Sequence, residues 1–164
     1  MRHFAVQLST AALLLAVAAP AAASSVGATM PVTALTITAC AVVATPLAFG
    51  TLNQLGGASN DSQTTLVVTC TPGTTYDVGL DNGAHASGNV RHMNPVIGSS
   101  TIPYALYSNA ARTTAWGNTV GTDTLNATAA ILPTTLTVYG RVPAGTPPVV
   151  AGAYADLVTV TVTF

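Results

Sequence analysis

The sequence contains no lysine and no glutamate, and charged residues make up only 5% of its 164 residues. Its basic residues are four arginines, and the formal net charge is −1. Nucleic-acid binding needs many basic side chains to neutralise phosphates, so the composition excludes that class of function. Intrinsic disorder is excluded too, because disordered chains combine low hydrophobicity with high net charge, whereas this chain is 49% hydrophobic. The chain must therefore bury an apolar core.

Long apolar runs are missing beyond residue 23. The first 23 residues contain an arginine near the start, an apolar core over residues 11–19, and the small-residue end Ala21 to Ala23. These are the three parts of a secretory signal peptide, and the apolar core is shorter than the roughly 20 residues that span a bilayer. We therefore predict a signal peptide over residues 1–23, with a buried N-terminal helix as the alternative, and an exported protein.

Cysteine is scarce as well, with two residues, Cys40 and Cys70. An even number of cysteines in an exported protein is typical of disulfide bonding, because the compartments beyond the inner membrane are oxidising. A metal site is the alternative, but two cysteines without neighbouring histidines make a poor zinc-ligand set. We predict a disulfide between Cys40 and Cys70.

Threonine and valine are abundant in residues 24–164, and both are β-branched residues that favour strands. In the last eight residues the apolar side chains alternate with threonines, which is the pattern of a half-buried strand. Further predicted strands are residues 35–43, 64–70, 75–80, 102–107 and 134–141. Turn signals separate them: Leu55 to Gly57, Pro72-Gly73, Asp81 to Gly83, Trp116 to Asn118 and Pro143 to Pro148. Short strands between such turns predict an all-β sandwich without helices of ordinary length.

The segment after the signal peptide changes its alternation phase. Apolar residues occupy even positions up to Ala34 and odd positions from Leu35 to Ala39. A change of phase by one residue moves the apolar set to the opposite face of a strand, so one flat strand cannot bury both halves on one side. Either a bulge interrupts a single strand, or two strands serve different cores. In the second case residues 24–34 form an arm.

Several motifs resemble the spore coat protein U domain, which is found in the major subunits of archaic chaperone–usher pili. The end of the chain resembles the C-terminal signature of that family, and a middle segment is similar to its central motif. The positions of the two cysteines relative to nearby aromatic residues match as well. The matching segments are Thr137 to Pro143, Gly152 to Phe164, Pro103 to Tyr107, Ala111 to Gly117, Cys40 with Phe49-Gly50, and Cys70 with Tyr76. The resemblance covers roughly residues 35–164.

This resemblance implies an incomplete immunoglobulin-like β-sandwich that lacks its seventh strand and is completed by a donor strand. A periplasmic chaperone would fill the open groove first, and the arm of the next subunit would replace it at an outer-membrane usher, a case of β-strand addition. The expected protein is a structural pilin subunit of a surface fibre that serves adhesion and biofilm formation, with no enzymatic activity and no cofactor. The alternative is a secreted monomeric coat or binding protein whose arm fills its own groove.

The resemblance also assigns roles to individual residues. After the signal peptide predicted above (1–23), it implies a donor-strand arm (24–34) and a pilin domain (35–164), with the disulfide joining the first strand to the second. The donor strand would insert Ala28, Met30, Val32 and Ala34, and the acceptor groove would use Val158, Val160, Val162 and Phe164, whose carboxylate a chaperone would bind. Pro31 departs from a regular donor strand, because it has no N–H to donate to a ladder.

Three other kinds of site are less well supported by the sequence. A hydrolase could use His85 or His92 with Ser87 and Asp81, but no nucleophile-elbow motif is present. Asp77, Asp81 and Asn82 offer oxygen ligands for calcium, but without the spacing of a calcium-binding loop. The aromatic residues Tyr104, Tyr107 and Trp116 could bind a sugar, although aromatic side chains in a sandwich more often pack in the core.

Overall fold

The structure, a computed structural model, describes residues 24–53 and 57–164. The predicted signal peptide and most of the turn predicted at Leu55 lie outside these residues. The chain divides after Leu35 into an N-terminal segment and a domain of residues 36–164. The described part of the N-terminal segment has neither helix nor strand, and its side chains are exposed. No helix in the described ranges is long and apolar enough to cross a membrane.

The domain consists of strands in two antiparallel sheets, which confirms the all-β prediction. The first sheet has six strands in the order β1-β2-β7-β5-β4-β8, and the second has three in the order β6-β3-β9. The strands are β1 (Cys40–Ala44), β2 (Asn60–Cys70), β3 (Thr75–Leu80), β4 (Arg91–Pro95), β5 (Ile102–Tyr107), β6 (Leu125–Thr128), β7 (Thr134–Val142), β8 (Tyr154–Ala155) and β9 (Val160–Thr163). Consequently β1 and β8 are edge strands of the first sheet, and β9 is an edge strand of the second.

Four predicted strands differ in their bounds. The first covers Cys40–Ala44 instead of residues 35–43, and the last covers Val160–Thr163 instead of residues 157–164. β2 begins at Asn60 instead of residue 64, and β7 ends at Val142 instead of residue 141. Residues 157–159 make hydrogen bonds with a turn rather than with a strand, because Ala84 N–H donates to the Leu157 carbonyl and Thr159 N–H donates to the Asp81 carboxylate. β3 and β5 have the predicted bounds, whereas β4, β6 and β8 were not predicted.

The core lies between the two sheets. Its largest fully buried side chains include Trp116, Tyr76 and Leu66. The Trp116 indole N–H donates to the Val78 carbonyl across 2.8 Å, which satisfies its one polar atom inside the core. Burying a large apolar side chain contributes about 1.5–3 kcal/mol. With 1% of its surface exposed, Trp116 is a core residue and cannot present its ring to a sugar.

The disulfide joins Cys40 to Cys70, which are register partners in β1 and β2. Next to it, the Thr71 hydroxyl donates to the Ile37 carbonyl and accepts from Ala39 N–H. The turn that follows β2 also contacts the residue after β6, since Gly73 N–H donates to the Ala129 carbonyl. We call this end of the sandwich, with residues 36–40, 70–74 and 129–133, the disulfide end.

Replacing both cysteines by serine should lower the free energy of unfolding by about 3.5 kcal/mol, the loop-entropy value for a closed loop of this size. The loop spans a sequence separation of 30 residues. Urea denaturation of the full chain with and without the substitutions would measure the difference. A loss below about 1 kcal/mol would contradict the prediction, and wild-type protein treated with reductant serves as the control.

Candidate functional site

An open apolar groove of about 430 Å³ lies between two segments that flank the core. One rim is formed by the end of β1 and the residues that follow it, Ala44 to Phe49, and the other by Tyr154 to Val160. The floor consists of core side chains from four strands, among them Leu66, Leu80, Leu106 and Val138. The groove thus exposes part of the core along the gap between the edges of the two sheets.

The free edge of β9 presents unpaired backbone groups toward this gap. β9 pairs with β3 in the register Val160 to Leu80 and Val162 to Val78. In the next pair along, Asp81 N–H donates to the Thr159 carbonyl. Hydrogen-bonded pairs alternate with non-hydrogen-bonded pairs along an antiparallel ladder. The N–H and C=O groups of Val160 and Val162 therefore point away from β3, where no other strand among the described residues pairs with them.

The free edge of β1 has the same property. Thr71 N–H donates to the Ala39 carbonyl, and Thr45 N–H donates to the Thr65 carbonyl, so the odd-numbered residues of β1 bond to β2. The backbone groups of Cys40, Val42 and Ala44 consequently face the gap. Neither β1 nor β9 contains a charged residue or a proline, the features by which proteins usually protect exposed edges from pairing with other strands.

The two free edges lie nearer to each other than one additional strand would need. Cα atoms of β1 and β9 approach within 8 Å of each other. A strand hydrogen-bonded to both edges requires two ladder spacings, about 9.6 Å. Pairing on both sides would therefore require the edges to move apart where they approach most closely.

A buried carboxylate fixes the rim that leads from β8 to β9. The Asp156 side chain is 2% exposed, and its Oδ2 accepts from the Tyr104 hydroxyl at 2.7 Å. Its Oδ1 accepts from the backbone N–H of His85 and lies 2.9 Å from His85 Nδ1. Burial and the bond to Asp156 raise the pKa of Tyr104, so the phenol stays protonated as a donor. Any Cβ at position 83 would collide with this carboxylate, so Gly83 is required there.

A second carboxylate fixes the start of β9. Asp81 Oδ1 accepts from the backbone N–H groups of Gly83 and Thr159, both at 2.9 Å. Burial raises the pKa of Asp81, but these two hydrogen bonds outweigh it, so the pKa lies below its ordinary value. The predicted turn residue Asp81 therefore also connects the turn to the rim of the groove.

The buried guanidinium of Arg91 connects the same region to the core. It donates to the carbonyls of Leu80, Asp81 and Trp116 at 2.7 to 2.9 Å. These carbonyls come from the end of β3 and from the segment after β5, so a single side chain satisfies acceptors from both. Burial lowers the pKa of Arg91, but an arginine remains charged.

The Spore Coat Protein U domain family matches residues 26–161 of this sequence. The chain belongs to this family. The matched range begins within the segment predicted as an arm and ends within β9. It therefore includes both rims of the groove.

Relatives of this Spore Coat Protein U domain chain are found in two further comparisons. It is 39% identical over 82 residues to Protein U of Myxococcus xanthus, a match covering 50% of this chain and 45% of the relative. Its fold is similar to a chain in the crystal structure of the CsuC–CsuE chaperone–tip adhesion subunit pre-assembly complex, from archaic chaperone–usher Csu pili of Acinetobacter baumannii. That match has a TM-score of 0.57 and 25% identity, and covers 78% of this chain and 40% of the other. The chain thus spans less than half the length of these relatives, and its fold resembles a chaperone–usher pilus subunit.

The groove residues expected from the sequence of this Spore Coat Protein U domain occupy different environments. Val158 and Val160 line the groove. Val162 is half-buried against the core, and Phe164 lies beyond the end of β9 with 58% of its surface exposed. In the N-terminal segment, the four expected donor residues are exposed, with Met30 and Val32 both at 83%.

Sequence reasoning missed the rim that follows β1. Leu47 and Phe49 pack over Gly140 of β7, where any Cβ would meet both side chains within 3 Å. The Phe49 ring also contacts the Tyr104 ring edge-on, with 6.0 Å between centroids. The available signal was the apolar alternation of Leu47 and Phe49 after Pro46, together with a glycine inside a strand, which often marks a close approach.

The residues considered for catalysis or calcium have other partners. His85 contacts Asp156, and His92 Nδ1 lies 3.0 Å from the Val90 carbonyl. The two oxygens of Asp77 accept from Thr124 and Asn126. Within residues 24–53 and 57–164, no group of three or more His, Cys, Asp or Glu side chains could hold a metal ion.

Substituting Asp156 by alanine should lower the free energy of unfolding by about 3 kcal/mol, because the Tyr104 hydroxyl and the His85 N–H lose their acceptor in a buried environment. Tyr104→Phe is the comparison variant and should cost less, about 1–2 kcal/mol, because the Asp156 carboxylate loses one hydrogen bond at Oδ2 but keeps its bonds to His85 at Oδ1. Urea denaturation of the full chain measures both. Equal losses in the two variants would contradict this role for Asp156.

The stability contributed by Asp81 should depend on pH. Because its pKa is lowered in the folded state, this contribution is complete above the ordinary value near 3.8 and disappears as the pH falls through the lower folded-state value. Asp81→Asn should therefore be less stable than wild type at neutral pH, with a difference that shrinks below about pH 4. Unfolding free energies measured between neutral and acidic pH test this, and a constant difference would contradict it.

Proposed function

We propose that this chain is a structural subunit of a chaperone–usher surface fibre, in which each groove is filled by the N-terminal arm of another copy. The observation that carries the proposal is the open groove bordered by the free edges of β1 and β9. Both edges have unpaired backbone groups, neither is charged, and the core is open between them. A strand inserted there would gain main-chain hydrogen bonds on both sides, and its alternate side chains would fill the groove.

The proposed donor strand is the segment with even-numbered apolar residues, Ala28, Met30, Val32 and Ala34. Its described side chains are exposed, which leaves them available to a second copy. Seven residues from 28 to 34 extend about 23 Å as a strand, enough to pass both free edges. Val158 and Val160 would contact the donor side chains from the β9 rim.

The direction of insertion follows from how the chain is connected. β9 runs toward the disulfide end, and the arm is joined to the domain at that same end, where Ile37 and Ala39 bind Thr71. If the arm runs antiparallel to β9 in a neighbour's groove, its last residue lies at the end of the neighbour that is opposite the neighbour's disulfide end. The domain that carries the arm is then located at that opposite end. A parallel arm would instead bring both neighbours of each subunit to the disulfide end. Only the antiparallel direction gives a linear head-to-tail fibre.

Pro31 is compatible with this insertion if it lies opposite the residues after β1. The carbonyls of Thr45 and Pro46 already accept from the Thr64 hydroxyl. Both carbonyls therefore keep a partner there even when the donor residue beside them has no N–H. We therefore propose that Pro31 lies beside this segment, with its neighbours Met30 and Val32 directed into the groove.

The remaining parts of the proposal are an assembly route and a role. A periplasmic chaperone would occupy the groove before the arm does and contact Val158, Val160, Val162 and the carboxylate of Phe164, and an outer-membrane usher would catalyse the exchange. The related solved structure supports the first step, since it is a pre-assembly complex of a chaperone with a pilus tip adhesion subunit. The fibre would be exported to the cell surface and serve adhesion and biofilm formation.

A self-complemented monomer is the competing possibility. Because the arm joins the domain at the disulfide end, filling its own groove through a short connection would require it to run parallel to β9. A monomer would migrate as a single species whether or not it was boiled in detergent. A strand-exchanged polymer should instead give a ladder that collapses to monomer on boiling.

The decisive variants are Val32→Asp and its neighbour Thr33→Asp in the full chain, expressed with its chaperone and usher. The first puts a charge into the apolar groove, where burial without a partner is very costly, so the ladder of unboiled polymer should disappear. The second puts the same charge on the outer face of the inserted strand, so the ladder should remain. Gel electrophoresis of unboiled surface extracts measures both.

Deleting residues 24–34 provides an independent test. The shortened subunit should still bind the chaperone, which supplies its own strand, but should not polymerise. Polymers of normal length from this deletion, or equal effects of the two aspartate variants, would overturn the proposal.

A further inference from the structure

Two loops at opposite ends of the domain expose adjacent large apolar side chains. The β4–β5 loop carries Val96 and Ile97, which are 83% and 88% exposed. The β6–β7 loop carries Ile131 and Leu132, which are 87% and 76% exposed. Single exposed apolar residues are ordinary, whereas adjacent ones enlarge the apolar area that a contact with another molecule can bury.

The β6–β7 loop belongs to the disulfide end. The residue that begins it, Ala129, exchanges backbone hydrogen bonds with Gly73 and Thr74 in the turn after β2. The same turn contains Thr71, which holds Ile37 and Ala39. Ile131 and Leu132 therefore lie at the end of the domain from which the arm departs.

The β4–β5 loop belongs to the opposite end, which we call the distal end. β4 pairs with β5 as far as Met93 opposite Ile102, and the loop continues beyond this pair. Val96 N–H donates to the Ala153 carbonyl just before β8. Met93 of β4 and both residues of β8 line the groove. Val96 and Ile97 thus follow directly on the end of the groove where the proposed donor strand finishes.

The connection between donor strand and domain is short. Ala34 is the last proposed donor residue, and Ile37 is already bound to Thr71 at the disulfide end. Three residue steps extend at most about 10 Å. The disulfide end of one subunit must therefore lie within about that distance of the point where its arm leaves the distal end of the next.

The two ends can meet without burying charge. Residues 94–101 and 128–133 contain no charged side chain. Their contact would cover four large apolar side chains and strand no ionic group, which is the composition of the buried centre of an interface.

We propose that Val96 and Ile97 of one subunit pack against Ile131 and Leu132 of the next, forming a second contact between copies besides the inserted strand. This inference rests on the proposed function, because the antiparallel arm is what brings these ends together. The contact is head-to-tail, so it repeats along the fibre. It would limit bending at the short connection between neighbouring domains.

Cysteine pairs test the contact in the full chain, assembled with its chaperone and usher. Ile97→Cys combined with Ile131→Cys should produce subunits linked by new disulfides along the fibre. Boiled, non-reduced polymer should then give a covalent ladder containing most of the subunits, and reductant should collapse it. Val96→Cys with Leu132→Cys is a second pair, in case the first perturbs folding. Val43→Cys with Ile131→Cys is the matched control, because Val43 is 67% exposed on β1 between the two ends.

The outcomes separate this inference from the proposed function. A covalent ladder from either end-to-end pair, and none from the control pair or the single variants, supports the contact. Unboiled polymer without covalent ladders from both end-to-end pairs overturns it while leaving strand exchange intact. A third outcome is that the cysteine-pair variants form no unboiled polymer although wild type does. If the variant lacking residues 24–34 then polymerises like wild type, the inference is overturned as well. Loss of cell binding to a hydrophobic surface in Ile97→Ser, without cross-linking in the pairs, would assign the loop to surface adhesion instead and also overturn the contact.

Discussion

An apolar core bordered by two unpaired strand edges is the constraint on which the other features of this domain depend. β1 and β9 each turn alternate backbone groups toward the gap between them, and core residues such as Leu80 and Leu106 form its floor. Unpaired backbone groups beside exposed apolar surface attract any extended strand. Where β1 and β9 approach within 8 Å, the gap is narrower than an inserted strand needs, so an incoming strand would have to move the two edges apart there.

Three of the charged residues, Asp81, Arg91 and Asp156, lie where the missing strand leaves the rim unsupported. Asp156 holds the segment between β8 and β9, and Asp81 holds the start of β9. In a complete sandwich, ladder hydrogen bonds on both sides of β9 would position these residues. Here side-chain acceptors do so, and Arg91 satisfies carbonyls nearby. Charged groups that are buried need such partners, which explains why these carboxylates and this guanidinium lie inside while the strand surfaces carry threonine.

The sequence was sufficient for the fold class and for β3 and β5, because period-two alternation and flanking turn signals are local properties. It was insufficient for β4 and β8. β4 contains Arg91 and Pro95, β8 has only two residues, and the pairing of both strands is decided by tertiary contacts. Val158 and Val160 of the groove were predictable from alternation. The opposite rim was not, since the packing of Leu47 and Phe49 depends on Gly140, which is about 90 residues away in the chain. The partners of Asp156 are also distant in sequence, 52 residues away for Tyr104 and 71 for His85.

The absence of lysine from the edges has a consequence for the free subunit. Soluble proteins commonly place charged side chains or proline on exposed edges to prevent strand addition, and a net charge near zero further favours association. β1 and β9 have neither protection, and the β4–β5 and β6–β7 loops contain no charged residue. Each of these properties would be harmful in a protein that stayed a monomer with an empty groove. In a subunit whose groove is always occupied, first by a chaperone and then by a neighbour, the same properties allow strand pairing and end-to-end contact without desolvating charge.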